Sequence, residues 1–121
     1  MGTMMQIGEV AERTGLSHRT MRHYEEVGLV RPSGRSDGGF RLYTEDDLER
    51  LLVIRRMKPL GYSIDEMKQL LATVDVLRRS PDDADARARL DGFLAGTQER
   101  RANLARQLEM ADEFSALLRE L

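Results

Sequence analysis

The C-terminal third of the chain has the pattern of one long helix that cannot bury its apolar face alone. No proline occurs after Pro81, and apolar or small residues recur in alternating steps of four and three, as in a two-stranded coiled coil. A helix of this length would extend about 60 Å, more than a small domain can cover. We therefore expect a homodimer. Its seam is predicted to contain Leu90, Leu94, Leu104, Leu108, Ala111 and Leu118.

Local signals predict where this helix begins and how its seam is modified. The run Ser80-Pro81-Asp82-Asp83 combines a capping residue, a proline at the first helical position and acids in the first turn. Thr97, Arg101 and Ser115 also fall at heptad positions, where polar residues weaken a coiled coil but fix its register. A second apolar stripe, expected to dock on another surface, consists of Met110, Phe114, Leu117 and Leu121.

Near the N-terminus the sequence predicts two short helices joined by a tight turn. The first is expected to start within Ile7–Ala11, where Gly8 can serve as its N-cap, and to end at Gly15. Ser17 can accept a hydrogen bond from a free amide of the next helical turn, so it is a good N-cap for the second helix. Gly28 is expected to end that helix. This spacing is that of a helix-turn-helix.

A turn-rich hairpin is predicted directly after the second helix. Pro32 blocks helix continuation, and the glycine-rich segment 34–39 favours tight turns and carries Arg35. The run Phe40–Tyr43 then alternates like a strand, with Phe40 and Leu42 expected toward the core. Arg41 and Tyr43 are expected on the opposite face. A helix beside a basic hairpin is typical of a winged DNA-binding domain.

The distribution of charge supports this interpretation better than the total does. The formal net charge is only −2. Residues 13–41, however, contain six arginines against three acids, so this segment carries +3 and the rest of the chain carries −5. Such asymmetry favours a local surface that binds anions on an otherwise acidic protein.

Helical spacing divides the second helix into two faces. One face is cationic and consists of His18, Arg19, Arg22 and His23. Arginine can form paired hydrogen bonds with guanine or with phosphate, and histidine can donate to either. The other face, expected to pack inward, consists of Thr20, Met21 and Tyr24. An isolated amphipathic helix would more often carry these charges simply as a solvated face, but the arginines of the following hairpin favour DNA binding.

Further helices complete the predicted head. Thr44 and Asp47 form the pattern of a capping box, and the helix that they open is expected to end near Lys58, before Pro59. A turn at 61–63 could act as a second wing, where Tyr62 either reaches a phosphate or caps the core. The predicted fold class is therefore mainly α. It combines a winged helix-turn-helix DNA-binding domain with a small β-hairpin wing, residues 5–78, and a long C-terminal dimerisation helix, residues 80–121.

Composition excludes several classes of protein and site. The chain contains no cysteine, which removes disulfides, thiolate metal sites and iron–sulfur clusters. No run reaches membrane-spanning length and no secretory signal is visible, so a cytoplasmic location and no membrane partner are expected. No metal and no cofactor are predicted. Met1-Gly2-Thr3 is expected to be a cloning remnant.

Two runs in the head resemble the MerR family of bacterial transcription regulators. They are TMRHYEEVGL, from Thr20 to Leu29, and GGFRLY, from Gly38 to Tyr43. The resemblance covers about residues 6–71, and the final helix is similar to the family's dimerisation element. It implies a dimer with an antiparallel coiled coil that binds a pseudo-palindromic promoter site and activates transcription by bending and untwisting the DNA. It also implies RNA polymerase as a partner and a location with the bacterial nucleoid.

The resemblance also assigns residues to the DNA contact. Arg22, His23 and Tyr24 match the family's arginine–tyrosine–tyrosine run, with histidine in place of the first tyrosine. Arg41 and Tyr43 match its wing. The full predicted DNA-binding set is His18, Arg19, Thr20, Arg22, His23, Tyr24, Arg35, Arg41, Tyr43 and Tyr62.

Other functions explain less of the sequence. An architectural DNA-bending factor with an excisionase-like winged helix would account for the head but leave the heptads without a role. A coiled-coil adaptor would account for the heptads but leave the arginines of the hairpin unexplained. An enzyme is disfavoured, because no nucleophile–base set and no phosphate-binding loop appears. No small-molecule effector is assigned.

Overall fold

The computed structural model describes residues 3–121 and shows a mainly helical chain with a small antiparallel sheet. The helices are α1 (Ile7–Thr14), α2 (His18–Glu26), α3 (Glu45–Met57), α4 (Ile64–Arg79) and α5 (Ala84–Glu120), with a 3₁₀ turn at Lys58–Leu60 after α3. The strands are β1 (Met5–Gln6), β2 (Gly34–Arg35) and β3 (Arg41–Tyr43). The predicted fold class is confirmed. Met1 and Gly2 of the expected cloning remnant lie outside the described residues.

The helix-turn-helix forms where its capping signals predicted. α1 ends at Gly15, whose φ of 73° lies in the left-handed region that glycine enters at little cost. The Ser17 hydroxyl accepts a hydrogen bond from the Thr20 amide at 3.0 Å and opens α2. The start of α1 differs from the prediction, because its N-cap is Gln6 and not Gly8. β1 leads directly into this helix and so fixes its first residue.

The sheet contains one strand more than the predicted hairpin. β3 lies in the centre, with antiparallel pairs Met5↔Tyr43 to β1 and Arg35↔Arg41 to β2. The predicted facing of the run Phe40–Tyr43 was wrong at both ends: Tyr43 is 1% exposed and Phe40 is 64% exposed. Tyr43 points inward because α1 packs against β3. Phe40 precedes the strand and belongs to the turn of the wing.

Asp47 joins the wing to the start of α3. Its Oδ2 accepts hydrogen bonds from the Thr44 amide at 2.9 Å and the Ser33 hydroxyl at 2.6 Å. The Asp47 amide in turn donates to the Thr44 hydroxyl at 3.1 Å, which completes the predicted capping box. Because this carboxylate is buried and accepts from two donors, it also anchors the segment that leads into β2.

Asp47→Ala is expected to lower the free energy of unfolding by about 1–2 kcal/mol, because it removes the acceptor of both donors. Urea denaturation measures this change. Asp46→Ala is the matched control, since it removes the same charge from the same helical turn but lies outside the capping box. Equal losses for the two variants would show that only the charge at the helix N-terminus matters.

By its internal contacts the chain divides into two units, Met1–Leu71 and Ala72–Leu121, so the boundary falls within α4. The predicted limits of 5–78 and 80–121 place it after α4 and remain a prediction about folding units. The core of the first unit comes from α1, α2, α3 and the first part of α4, from β1 and β3, and from the segment after α2. Its buried apolar residues include Met5, Val10, Met21, Tyr24, Leu29, Val30, Tyr43, Leu48, Leu51, Ile54, Met57, Met67 and Leu71.

In the second unit, α5 begins later than the sequence predicted. Asp83 is its N-cap and accepts a hydrogen bond from the Ala86 amide at 2.9 Å, whereas Ser80 and Pro81 form a turn before it. The Ser80 carbonyl is already used by the Asp83 amide, which closes that turn and delays the helix. α5 contains 37 residues without interruption, and every residue from 101 to 121 is exposed.

Candidate nucleic-acid interface

α2 presents a cationic face, as its helical spacing predicted. Met21 and Tyr24 are buried, while all four residues predicted on the opposite face are exposed. Arg19 and Arg22 make no hydrogen bond and no ion pair within the described part of the chain. Together with His23 and Glu26 they line an open depression. Two arginines without protein partners can therefore bind an anion without first breaking an ion pair or a hydrogen bond.

The wing carries two further arginines, and both are paired with the same carboxylate of α2. Arg35 Nη2 lies 3.0 Å from Glu25 Oε1, and Arg41 Nε lies 2.5 Å from Glu25 Oε2. These bonds join the wing to the helix that carries Arg19 and Arg22. Pairing with Glu25 raises the pKa of Arg41, so this guanidinium stays charged at every relevant pH. Arg35 and Arg41 were predicted to contact DNA, and in this conformation both form ion pairs with Glu25.

The tip of the wing is a defined turn. The Ser36 amide donates to the Phe40 carbonyl at 2.9 Å, and the Gly39 amide donates to the Ser36 carbonyl at 2.8 Å. Gly39 has a φ of 82°, which explains glycine at this position. A Cβ on Gly38 would lie 3.1 Å from the Phe40 ring, so a side chain there would press against this exposed aromatic. The tip thus holds its shape through its own backbone.

Three tyrosines and a threonine of the predicted DNA-binding set are less accessible than the arginines. The hydroxyl oxygens of Tyr24 and Tyr43 are buried and have no hydrogen-bond partner, and burial raises the pKa of both. Tyr62 is also buried, in agreement with its alternative role in the core. Thr20 is half-buried, and its hydroxyl accepts from Ser17 at 2.9 Å. With the side chains in these positions the Tyr24 and Tyr43 hydroxyls do not face solvent, and their assignment to DNA binding stays a prediction.

Lys58 is a cation that the sequence predicted only as the end of α3. It is exposed, and it lines an open cavity of about 290 Å³ together with His23, Tyr24, Tyr62, Ser63, Ile64 and Met67. The structure therefore brings the turn after α3 beside the cationic face of α2. Nothing in the local sequence around Lys58 predicts this neighbourhood, because it depends on how α3 packs.

Glu25 is the residue whose role the sequence did not reveal. In the charge count it was only one of three acids that offset the arginines. Its partners lie 10 and 16 residues away along the chain. The sequence did show an acid, Glu25, about one helical turn after Arg22 on a basic helix. That position alone does not identify the cations with which Glu25 pairs.

Most of the residues predicted for dimerisation are exposed on α5. Leu90 is half-buried, whereas Leu94, Leu104, Leu108, Ala111 and Leu118 are exposed. The second stripe is exposed as well, with Met110, Phe114 and Leu117 each more than half accessible. The exposure of these apolar side chains is consistent with the predicted dimerisation face, which stays a prediction.

No helix within residues 3–121 combines the length and the apolar character that crossing a membrane requires. In the same range, no group of three or more histidine, aspartate or glutamate side chains is arranged to hold a metal ion.

Comparison with known proteins identifies the family. The family described as "MerR HTH family regulatory protein" matches residues 5–74, which is more than half of the chain. The chain belongs to the MerR family. A second description, "MerR, DNA binding", matches residues 48–119. The MerR proteins are a family of transcription regulators and not a family of enzymes.

Individual MerR relatives show how far the likeness extends. The chain is 49% identical over 70 residues to the HTH-type transcriptional regulator YfmP of Bacillus subtilis, covering 57% of this chain and 50% of YfmP. It is 32% identical over 117 residues to heavy metal-dependent transcription regulator 2 of Rhizobium meliloti, covering 97% of this chain and 74% of that protein. Across three of the curated relatives the chain spans 50% to 64% of their length.

A solved MerR structure shares the fold. The crystal structure of HiNmlR, a MerR family regulator lacking the sensor domain and bound to promoter DNA, matches with a TM-score of 0.73 at 25% identity. The match covers 96% of this chain and 88% of that chain. The similarity therefore includes both the winged helix-turn-helix and the long final helix.

Proposed function

We propose that this MerR protein is a sequence-specific, DNA-binding transcription regulator that acts as a homodimer on a pseudo-palindromic promoter site. The observation that carries the proposal is the face of α2 on which Arg19 and Arg22 are exposed and without protein partners. On a winged helix-turn-helix, this face is the one that enters the major groove. The wing, with Arg35 and Arg41, would then lie on the flanking backbone.

The positions of Arg19 and Arg41 favour contacts to different parts of the DNA. Arg19 lies in the first turn of α2, where the residues of a recognition helix meet base edges. Arg41 belongs to the wing and is held by an ion pair, which suits a contact to the regular phosphate backbone. We therefore assign Arg19 to sequence preference and Arg41 to general affinity.

The proposed homodimer rests on α5. Every residue from 101 to 121 is exposed, so the apolar side chains of this segment are not buried within the protomer. An antiparallel coiled coil with a second copy would bury them and set the distance between two DNA-binding heads. Two heads at a fixed distance require two half-sites, which is why the operator is expected to be pseudo-palindromic.

For mechanism we propose the family's mode, in which the bound dimer bends and untwists the promoter for RNA polymerase. DNA deformation of this kind has an energetic cost that the extra protein contacts offset. It would operate in the bacterial cytoplasm, at the nucleoid. The proposal includes no cofactor and no effector.

The experiment that tests the proposal combines binding with transcription. The wild-type chain is used to select duplexes from a randomised pool, and the selected duplex is footprinted and placed in an in vitro transcription assay. A two-fold symmetric footprint with altered transcription supports the regulator. A footprint with DNA bending but unchanged transcription would instead support an architectural factor, and the absence of any selected sequence would contradict DNA recognition.

Arg19→Ala is expected to lower affinity for the selected duplex about tenfold or more and to relax sequence preference, since a paired contact to a base discriminates by about 1–3 kcal/mol. Arg41→Ala is expected to lower the affinity for the selected duplex and the affinity for a shuffled duplex by the same factor. Fluorescence anisotropy with both duplexes separates the two effects. Identical behaviour of the two variants would contradict the proposed division between base and backbone contacts.

A further inference from the structure

Glu25 bridges the two elements that the proposed function requires to act together. It belongs to α2, and each of its carboxylate oxygens is bonded to a different arginine of the wing, at 3.0 Å for Arg35 and 2.5 Å for Arg41. Its side chain is only 22% exposed, so the bridge is partly shielded from water. A carboxylate within a surface that binds anions weakens that surface by its charge. Its presence there therefore calls for a compensating role.

The two arginines use their guanidinium groups differently. Arg41 donates to Glu25 through Nε, and its two Nη groups make no hydrogen bond within the described residues. Arg35 donates through Nη2 to Glu25 and through Nη1 to the Gly39 carbonyl at 3.1 Å. Arg35 therefore ties Glu25 to the turn of the wing, while Arg41 keeps two donor groups for another ligand.

The atoms that are bonded show whether Glu25 positions Arg41 for a ligand or masks it from a ligand. If Glu25 masked Arg41, it would engage the outer Nη groups that meet a phosphate. It engages the inner Nε instead, so a phosphate can bind at the Nη groups while the bond to Glu25 persists. A free arginine has several rotatable bonds and loses conformational entropy when it binds. An arginine already fixed through Nε has lost part of that freedom before the ligand arrives.

We propose that Glu25 is a positioning residue that fixes the Arg41 guanidinium, with Arg35 as a brace to the wing turn, so that the Arg41 Nη groups face a phosphate of bound DNA. This inference rests on the proposed function, because it identifies how one of its backbone contacts is organised. The ligand is a backbone phosphodiester, which offers paired oxygens to the two Nη groups. Glu25 itself does not contact the DNA.

The test compares Glu25→Gln with Glu26→Gln. Each substitution removes one negative charge from adjacent positions of α2, so the general electrostatic effect of each on DNA affinity is a gain. Glu26 is exposed, and within the described residues no wing arginine is hydrogen-bonded to it. The probe is the duplex that the wild-type chain selects from a randomised pool, with affinity measured by anisotropy at fixed salt.

The two variants are expected to change affinity in opposite directions. Glu26→Gln should raise affinity slightly, whereas Glu25→Gln should lower it about tenfold despite the same gain in charge, because Arg41 loses its charge-assisted support. A rise for Glu25→Gln equal to that of Glu26→Gln would overturn the proposal. A larger rise would also overturn it, since that result is the one expected if Glu25 masks the arginines.

A double variant excludes a purely structural role for Glu25. In an Arg41→Gln background, Glu25→Gln should no longer lower affinity and should behave like Glu26→Gln, because the residue through which it acts is gone. A persisting tenfold loss in that background would show that Glu25 acts on the fold and would overturn the proposal. Circular dichroism and thermal melting of each variant accompany the binding measurements.

Arg41→Lys provides a test if Glu25→Gln does not fold. Lysine keeps the charge but has neither Nε nor a planar fork, so it cannot bond Glu25 and a phosphate in the same geometry. It should lower affinity by a similar factor, and unchanged affinity would overturn the inference. Failure of the proposed function is a separate result, because the wild-type chain would then select no duplex. A wild type that selects DNA, with the two glutamine variants alike, contradicts only the role of Glu25.

Discussion

Raising the salt concentration from about 50 to about 200 mM is expected to lower the affinity of the dimer for DNA by a factor on the order of 10³–10⁵. The physical reason is counterion release: each phosphate neutralised by a lysine or arginine frees condensed cations from the DNA. The first unit has several exposed cations without ion pairs in the described residues. They include Arg22, Arg31 and Lys58, and Arg41 of the wing adds the phosphate contact proposed above.

Four such contacts in each protomer give about eight in a dimer. A plot of the logarithm of the binding constant against the logarithm of the salt concentration is then expected to have a slope of about −7. Titrations at several salt concentrations measure this slope. Sedimentation at the same concentrations is the control, since it shows whether the dimer itself dissociates. A nearly flat response from a protein that remains dimeric would contradict a backbone contact by these cations.

Replacing Leu104 and Leu108 together by glutamate is expected to produce a monomer that binds the operator about 10²–10⁴-fold more weakly. Both side chains are exposed on α5 and fall at predicted seam positions, so charges there would have to be desolvated in a coiled coil. A monomer also loses the avidity by which one bound head raises the local concentration of the other. Sedimentation velocity and operator affinity are the two measurements.

Arg106→Glu is the matched control for this pair. It also changes the net charge of the chain by −2. Position 106 is two residues away from each leucine, so its side chain lies on the opposite side of the helix. It should leave both sedimentation and affinity close to wild type. If the leucine double variant sediments as the wild type does, the coiled coil is not the interface. If the control also dissociates, charge rather than apolar burial governs association.

Elements that depend on near neighbours in sequence could be predicted closely. Ser17 caps α2, Gly15 ends α1, and Thr44 with Asp47 forms the capping box of α3, all as expected. Each of these features involves residues within four positions of one another. The cationic face of α2 follows from the same local geometry, because helical spacing alone decides which side chains share a face.

The start of α5 shows where a local signal misleads. Ser80 and Pro81 have the composition of a helix start, but Asp83 offers a second cap three residues later, and the helix uses that one. Both signals were present in the sequence. Choosing between them required the turn that the Asp83 amide closes onto the Ser80 carbonyl.

The sequence by itself determined the helices, the caps of α2 and α3, the segment rich in arginine and the heptad repeat from which a partner is predicted. Only the tertiary structure decided that β1 completes the sheet, that Tyr43 points inward, and that Glu25 holds both wing arginines. Helix geometry and capping are set by residues a few positions apart, so they can be read along the chain. The pairing of β1 with β3 and the ion pairs of Glu25 join residues 10 or more positions apart, and only packing brings those together.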